Sequence, residues 1–347
     1  MNPIPSSEPR HWFRAIVLGL LIVVFLLAAA GFLYENISEA RDRRFHPMPG
    51  QLIDIGGHKM HIDCTGQGTP VVILDSGLGD SYISWRKVQP HVAEFTRVCS
   101  YDRAGIGYSD PSPHSRSSKD IAEELHALLH NAEIAPPYVL VGHSMGGYDV
   151  RLYASLFRSE IAGMVLVDAS HPDQLKRFPP ALNDLDASWL RQAEFLEFAN
   201  LFGIPRLLGF CGRDPVVRAA ECNFHTAREN VAELKAFPES AAQTATTGSL
   251  GGLPLGVLSH DPDLPQPDLP EDLVKPTNDA WTQMQAELSQ LSTRSTHTVV
   301  KGSGHYIQMD RPEAVIDAIR TVVTEARQTP PTEPASPRHG DAAKPHS

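Results

Sequence analysis

The sequence predicts an α/β fold in which a mostly parallel sheet carries helices on both faces. Two observations lead to this prediction. Short apolar segments such as 71–74 and 164–167 are typical of buried strands. They alternate with longer segments, such as 118–132, in which leucine and alanine recur at helical spacing. Because neighbouring parallel strands need long crossover connections, this alternation favours a parallel sheet with helical connections.

The other elements follow from the same patterns along the 347 residues, of which 41% are hydrophobic. This length allows one large domain or two small ones. Strands are expected at 51–55, 58–62, 71–74, 97–101, 138–141, 164–167, 255–258 and 298–300, the first two forming a hairpin. Helices are expected at 85–95, 118–132, 145–155, 279–291 and 312–327.

An uninterrupted run without charge covers residues 15–33. As a helix it would span roughly 30 Å, the thickness of a bilayer core. We therefore favour an uncleaved membrane anchor at 15–34, between a flank at 1–14 and a linker at 35–50. A cleaved signal peptide is the alternative, because Ala28–Ala30 offers small residues for cleavage. Both interpretations place the main domain outside the cytoplasm, in a single-pass membrane protein or a secreted one. A buried core helix is a weaker option, because the run lacks a polar face and lies at the terminus.

Charge and cysteine spacing exclude several classes of protein. The net charge is −11 and no basic face is visible, which argues against nucleic-acid binding. None of the four cysteines (Cys64, Cys99, Cys211 and Cys222) forms a Cys-x-x-Cys pair, so a zinc or redox motif is not expected. Their even number fits two disulfides in an oxidising compartment or four buried thiols in the cytosol.

Residues 139–147 predict a strand, a sharp turn and a helix that begins at Met145. The turn carries Gly-x-Ser-x-Gly, as Gly142, Ser144 and Gly146. A serine on such a turn has a strained backbone and an exposed hydroxyl, and the close approach of strand and helix requires small residues on either side. The helix N-terminus directs free N–H groups at an oxyanion formed beside the serine. This pattern predicts a nucleophilic Ser144.

Five motifs in a fixed order carry a family resemblance. They are the loop 75–79, the segment 101–107, the elbow 142–146, the acidic turn after Leu258, and Gly302–His305 followed by Pro312. Over about residues 50–327 the chain resembles the α/β-hydrolase family, in its lidded serine-nucleophile branch of esterases, lipases and proline iminopeptidases. It departs from many members at Ser76-Gly77, where they carry His-Gly.

The resemblance implies a domain organisation and a sheet of eight strands. The α/β-hydrolase core is expected at 51–170 and 253–327. The intervening 171–252 is too long for a simple connection and is expected to form a mainly helical lid. The tail at 328–347 is rich in proline, alanine and charge, and we expect it to be disordered.

The resemblance also assigns roles to two residues. Ser144 is the expected nucleophile, and His305 is the expected base that takes its proton and later protonates the leaving group. Among 16 histidines, His305 stands out because it lies on a glycine-flanked loop after the last strand, in the family order Ser, Asp, His. His143 is expected to pack inside or line the pocket, since its side chain must point away from that of Ser144.

The acid that orients His305 has three candidates. Its task is to hold the imidazole tautomer and to stabilise the imidazolium. Alignment by strand end places Asp263 at the usual position of the family, with Asp261 one step behind. Asp168, at the end of the preceding strand, is a known alternative position in this fold. We expect Asp263 first and Asp261 second, with Asp168 third.

Two further features complete the expected site. The backbone N–H groups of Leu78 and Met145 are expected to form the oxyanion hole. Asp102 and Arg103 are expected to form a charge pair that braces a loop near it. No metal and no organic cofactor are implied.

The resemblance suggests pairings for the cysteines. In the usual strand order of the family, the strands that hold Cys64 and Cys99 are neighbours, so a Cys64–Cys99 disulfide is feasible within the Cα distance limit. Cys211 and Cys222 both lie in the expected lid, where a Cys211–Cys222 disulfide could staple it.

The resemblance implies a carboxylesterase-like serine hydrolase that cleaves a small-molecule ester, or an amide, through an acyl-enzyme, and the run at 15–33 predicts that it is anchored in a membrane. Epoxide hydrolases and dehalogenases of similar fold use a nucleophilic aspartate, which Ser144 disfavours. Proline iminopeptidase-like and haloperoxidase-like enzymes are alternatives; a peptidase needs acidic groups to hold a substrate amine, and Glu194, Glu197 and Asp214 lie in the expected lid. A non-catalytic binding module on the same fold is the alternative outside the enzymes.

Overall fold

The computed structural model describes residues 10–267 and 269–328. A single eight-stranded sheet forms the centre of this described part of the chain. Its strands are β1 (Gln51–Asp54), β2 (Lys59–Thr65), β3 (Val71–Asp75), β4 (Val98–Tyr101), β5 (Tyr138–His143), β6 (Ile161–Val167), β7 (Gly251–Ser259) and β8 (Ser292–Val299).

The strands follow the order β1-β2-β4-β3-β5-β6-β7-β8 across the sheet. β1 pairs antiparallel with β2, and β2 antiparallel with β4. All pairs from β4 to β8 are parallel. The predicted mostly parallel sheet of eight strands is therefore confirmed. The carboxyl ends of its central parallel strands lie at one edge, where β5 ends at His143 opposite Val167 at the end of β6.

Helices cover both faces of the sheet, as the sequence predicts. In the described residues they are α1 (Arg10–Phe45), α2 (Gln89–Val92), α3 (Ser118–Asn131), α4 (Gly146–Leu156), α5 (Gln174–Arg177), α6 (Ala181–Asn200), α7 (Ile204–Leu207), α8 (Pro215–Glu221), α9 (Phe224–Thr244), α10 (Glu271–Ser289), α11 (Ile307–Asp310) and α12 (Pro312–Gln328).

Two apolar clusters hold these layers together. On one face, α3, α4 and α10 contribute Leu125, Val150 and Leu288 to a buried cluster with the sheet. On the other face, α2 and α12 contribute Val92 and Ile319. Each such side chain stabilises the fold by about 1.5–3 kcal/mol when fully buried. The two clusters fix the positions of the strand ends that carry the candidate site.

Five helices, α5 to α9, lie between β6 and β7, and we call this segment, residues 171–250, the insertion. Its two longest helices, α6 and α9, pack on each other. Side chains cap two of its helices: Asp214 accepts a hydrogen bond from the N–H of Val216 at 2.9 Å, and Asn223 accepts one from Thr226 at 2.8 Å. Such caps satisfy N–H groups that the helix itself leaves free.

Both expected disulfides are present. Cys64 of β2 and Cys99 of β4 lie directly opposite each other in register, with their Cα atoms 4.1 Å apart. Cys211 and Cys222 flank α8, with their Cα atoms 5.5 Å apart. The first bond ties an outer strand to the parallel sheet, and the second closes a loop within the insertion.

The N-terminal helix is longer than the uncharged run. α1 includes that run and continues to Phe45, through most of the stretch expected to be a linker. The apolar part is exposed and long enough to cross a membrane, whereas the end of the helix packs against the protein: Arg43 donates to the carbonyl of Gly107 at 3.2 Å. These tertiary contacts explain why a charged segment stays helical. The expected tail lies outside the described residues beyond residue 328.

Candidate active site

Ser144 lies on a sharp turn between β5 and α4, with φ at 52°. A left-handed conformation is uncommon for a non-glycine residue and marks local strain. Three backbone hydrogen bonds hold it: its N–H donates to Val167 at 3.2 Å, and its carbonyl accepts from Gly147 at 3.0 Å and from Ser170 at 2.9 Å. A Cβ on Gly142 would lie 2.5 Å from the carbonyl oxygen of Gly146. The turn therefore requires glycine there, as the sequence motif suggests.

His305 lies on the loop between β8 and α11, beside the elbow. Its ring centroid is 4.8 Å from that of His143, the residue before Ser144. Its Nδ1 atom lies 2.6 Å from Oδ2 of Asp168, the residue that follows β6. The side chain of Asp168 is fully buried, whereas that of His305 is 41% exposed. A buried carboxylate thus meets one ring nitrogen of an accessible imidazole, an arrangement that fixes the tautomer with Nε2 unprotonated.

Asp263 and Asp261 do not contact His305, contrary to the expected order of candidates. Asp263 accepts a hydrogen bond from the Lys301 ammonium at 2.8 Å, and its side chain is 80% exposed. Asp261 accepts from Lys301 and from the N–H of Gly302, both at 2.9 Å. The turn after β7 therefore directs these carboxylates toward the start of the His305 loop. The third candidate, Asp168, holds the position beside the imidazole.

Asp168 also receives hydrogen bonds from two residues that the sequence analysis did not single out. Trp281 of α10 donates from Nε1 to Oδ1 at 2.8 Å, and His260 approaches Oδ2 with Nδ1 at 2.8 Å. Burial raises the pKa of Asp168, but the hydrogen bonds and charges of His260 and His305 prevail and hold it below its usual range. Burial opposes a charge on His260, but the hydrogen bond that its ring donates to Asp168, together with the charge of Asp168, prevails and raises the pKa of His260. Asp168 is therefore ionised and surrounded by donors.

The loop expected to supply an oxyanion donor is bound tightly on both sides of Leu78. The carbonyls of Ser76 and Gly77 accept hydrogen bonds from the Arg103 guanidinium at 2.7 and 2.5 Å. The N–H of Gly79 donates to Glu233 at 2.9 Å. Among the described residues, the N–H groups of Leu78 and Met145 donate no hydrogen bond.

Arg103 is a buried link between the sheet and the insertion. Its Nε donates to Glu233 of α9 at 2.7 Å, and its Nη1 donates to Asp75 at 3.0 Å. The expected pairing of Arg103 with Asp102 is wrong, because Asp102 contacts His61 at 2.7 Å and accepts from the N–H of Tyr82 at 2.7 Å. Arg103 therefore braces the loop at 76–79 with an acid that lies 130 residues away in sequence.

His143 and Asp80 lie close together next to this loop. His143 is fully buried and its Nε2 donates to the carbonyl of His305 at 3.0 Å, while burial and the charge of His305 lower its pKa to about 3. Its Nδ1 lies 3.9 Å from Oδ2 of Asp80, and neither atom has a hydrogen-bond partner. Burial and the charge of Glu221 raise the pKa of Asp80 to about 7. When Asp80 is protonated, its carboxyl O–H complements the lone pair on the Nδ1 of His143.

We expect Asp80→Asn to stabilise the protein at alkaline pH. The folded chain binds the Asp80 proton more tightly than the unfolded chain, because the pKa rises from 3.8 to about 7 on folding. The favourable contribution is complete below pH 3.8 and is lost as the pH rises through 7. Between pH 5 and pH 8, the free energy of unfolding should therefore fall by about 2 kcal/mol less in Asp80→Asn than in the parent. Thermal unfolding at the two pH values measures this difference.

The exposed Asp263→Asn is the matched control for this measurement. It should follow the pH dependence of the parent, because its carboxylate lies in water beside Lys301. Equal pH dependence in the parent and in Asp80→Asn would contradict the assignment of a protonated Asp80.

The comparison with protein families agrees with this geometry. A family model described as the alpha/beta hydrolase family matches residues 71–318, which include the elbow, Asp168 and His305. An esterase from Thermogutta terrifontis has a similar structure, with a TM-score of 0.59 and 22% identity over 80% of this chain and 98% of the esterase.

Two curated relatives come from Bacillus subtilis strain 168. The protein YqjL is 26% identical over 263 residues, covering 76% of this chain and 87% of YqjL. YbdG is 24% identical over 163 residues, covering 46% of this chain, and the match spans only half of YbdG. The family model covers more than half of the 347 residues, and the sheet topology agrees with it: this chain belongs to the alpha/beta hydrolase family.

Proposed function

We propose that the protein is a serine hydrolase that cleaves a carboxylic ester through an acyl-enzyme, with Ser144, His305 and Asp168 as its triad. The observation that carries this proposal is the 2.6 Å contact between His305 Nδ1 and Asp168, beside a strained serine elbow. A serine hydroxyl is a weak nucleophile until a base takes its proton. Asp168 would keep the proton on Nδ1, so that Nε2 acts as that base.

The reaction would proceed in two halves. Ser144 Oγ attacks the ester carbonyl while its proton passes to His305 Nε2, and the imidazolium then gives this proton to the leaving alcohol as the C–O bond breaks. Water attacks the acyl-enzyme by the same route and releases the acid. The N–H groups of Leu78 and Met145 would stabilise the negative oxygen in both halves, each contributing about 3 kcal/mol to the transition state.

The insertion favours ester cleavage over removal of an amino-terminal residue. Two of the acids that could hold a substrate amine are engaged in ion pairs at the surface. Glu194 contacts Lys235 at 2.7 Å, and Asp214 contacts Arg86 at 2.5 Å. All four side chains are more than one third exposed. These pairs leave neither acid free to bind an ammonium in a closed site.

We also propose that α1 anchors the enzyme in a membrane with the catalytic domain on the non-cytoplasmic side. The uncharged part of α1 is exposed and long enough to span a bilayer. The two disulfides support an oxidising compartment. A secreted form cleaved at Ala28–Ala30 would keep the ion pairs that Glu35 and Asp42 make with the insertion.

Covalent labelling tests this proposal directly. The full chain in detergent should react once with a fluorophosphonate, and peptide mass analysis should place the adduct on Ser144. Labelling should vanish in Ser144→Ala, together with hydrolysis of p-nitrophenyl esters. Ser170→Ala is the matched control, because Ser170 is a buried serine near the elbow that binds Ser144 only through its backbone. An adduct on another residue, or esterase activity that survives Ser144→Ala, would overturn the proposal.

A further inference from the structure

The corner between α6 and α7 carries an unusual concentration of exposed apolar side chains. Outside α1, the described residues include thirteen exposed large apolar side chains, and seven of them lie within the sixteen residues 195–210. We call these seven the corner patch: Phe195, Leu196, Phe198, Ile204, Leu207, Leu208 and Phe210. Such a concentration of exposed apolar side chains in one short segment is typical of an interaction surface.

The corner is packed against the apolar part of α1. A Cβ on Gly31 would lie 2.7 Å from the carbonyl oxygen of Phe202, and a Cβ on Gly203 would lie 2.9 Å from the ring of Tyr34. Glycines at both contacts allow the two backbones to approach closely. Gly31 precedes the end of the uncharged run by two residues, or roughly 3 Å along the helix. The corner therefore lies level with the last turn of the run that would cross the bilayer.

Buried ion pairs fix this arrangement. Arg206 of α7 donates to Glu35 at 3.0 Å and also contacts Asp42, and Glu35 is only 3% exposed. The far end of α1 is held by the core, where Tyr108 donates to the carbonyl of His46 at 3.0 Å. Because α1 is tied to both the insertion and the core, the corner cannot leave the membrane surface while α1 spans it.

From this continuity we infer that the corner patch inserts into the outer boundary of the bilayer that α1 crosses, as a second, lipid-binding contact of the insertion. The inference rests on the proposed membrane anchor. Aromatic and leucine side chains are the residues that bury in the interfacial region, and the charged Arg206 within the segment is neutralised by Glu35 and Asp42. The partner is thus lipid acyl chains and not a protein.

The insertion links this lipid contact to the candidate site. Glu233 of α9 binds both Arg103 and the N–H of Gly79, and Glu221 of α8 accepts from Ser81 at 2.6 Å. The loop 76–81 is therefore held by α8 and α9, and α9 packs on α6, which carries part of the corner patch.

Site-directed spin labelling of the full chain in vesicles tests the inference. All four cysteines are in disulfides, so one introduced cysteine gives one reactive thiol. Nitroxides would be placed at Phe198→Cys and Leu208→Cys, with Leu156→Cys as the exposed apolar control on α4 and Leu21→Cys as the reference within α1. Power saturation with oxygen and with a water-soluble nickel chelate then reports whether lipid or water surrounds each label.

The expected result is a loss of collisions with the chelate at Phe198 and Leu208 relative to Leu156, with oxygen collisions retained. Chelate access to either corner label equal to that at Leu156 would overturn the inference. Protection from both reagents would also overturn it, since that pattern indicates cover by protein. Failure of the anchor itself would be seen separately, as chelate access at Leu21.

Discussion

Asp168→Asn will lower kcat/KM for ester hydrolysis by about 10⁴-fold, the size of effect that loss of the orienting carboxylate has in serine hydrolases. The amide has no charge to stabilise the imidazolium, and its NH₂ group can donate to Nδ1 of His305, which selects the wrong tautomer. Initial rates with p-nitrophenyl esters, measured for the full chain in detergent, provide the test. Fluorophosphonate labelling of Ser144 should slow in parallel, because the same base activates the serine.

Asp263→Asn and Asp261→Asn are the controls for this prediction, because they carry the same change at the two carboxylates that bind Lys301. We expect both to retain kcat/KM close to that of the parent. A loss as large as that of Asp168→Asn in either control would contradict the assignment of the acid to Asp168. Near-ultraviolet circular dichroism identifies a general loss of structure, since Asp168 also binds Trp281.

Sequence patterns do not distinguish Asp168 from Asp263 as the acid beside His305. Each acid follows an apolar strand that ends at the same edge of the sheet, and the sequence contains 41 acidic residues. Which acid contacts His305 depends on Lys301, which binds both Asp261 and Asp263, and on the φ of 42° at Asp168. Neither the ion pairs nor the backbone conformation leaves a pattern in the sequence. The sequence does show a histidine, His260, directly after β7, but its hydrogen bond to Asp168 depends on where the fold places that acid.

Local patterns were sufficient for most of the fold. Periodicity located the strands, and the glycines around Ser144 predicted the elbow, because these signals lie within a few residues of the feature that they specify. The helix over 35–45 and the pairing of Arg103 with Glu233 were missed. Both are produced by contacts between distant segments: Arg206 with Glu35, and α9 with the loop after β4. Tertiary contacts of this kind override local composition.

The Arg103–Glu233 pair leads to the second large effect that we expect. Arg103→Met should lower the free energy of unfolding by about 3–5 kcal/mol, because removal of one partner leaves buried charge without compensation. Arg103 is the cation among three fully buried acids, Asp75, Asp149 and Glu233. Burial already raises the pKa of Asp75 to about 6, against the lowering effect of Arg103. The variant should therefore lose more stability at pH 8, where Asp75 must ionise, than at pH 5, where protonation of Asp75 removes its charge.

Arg86→Met is the matched control, because it deletes the same side chain from an ion pair with Asp214 in which both side chains are more than one third exposed. Exposed pairs contribute about 0–1 kcal/mol, so Arg86→Met should unfold almost as the parent does. Thermal unfolding of the full chain in detergent at both pH values gives the comparison. Similar losses for the two variants would mean that the Arg103 network contributes no more than a surface pair. A loss at Arg103 that does not grow between pH 5 and pH 8 would contradict the ionisation of Asp75 in this range.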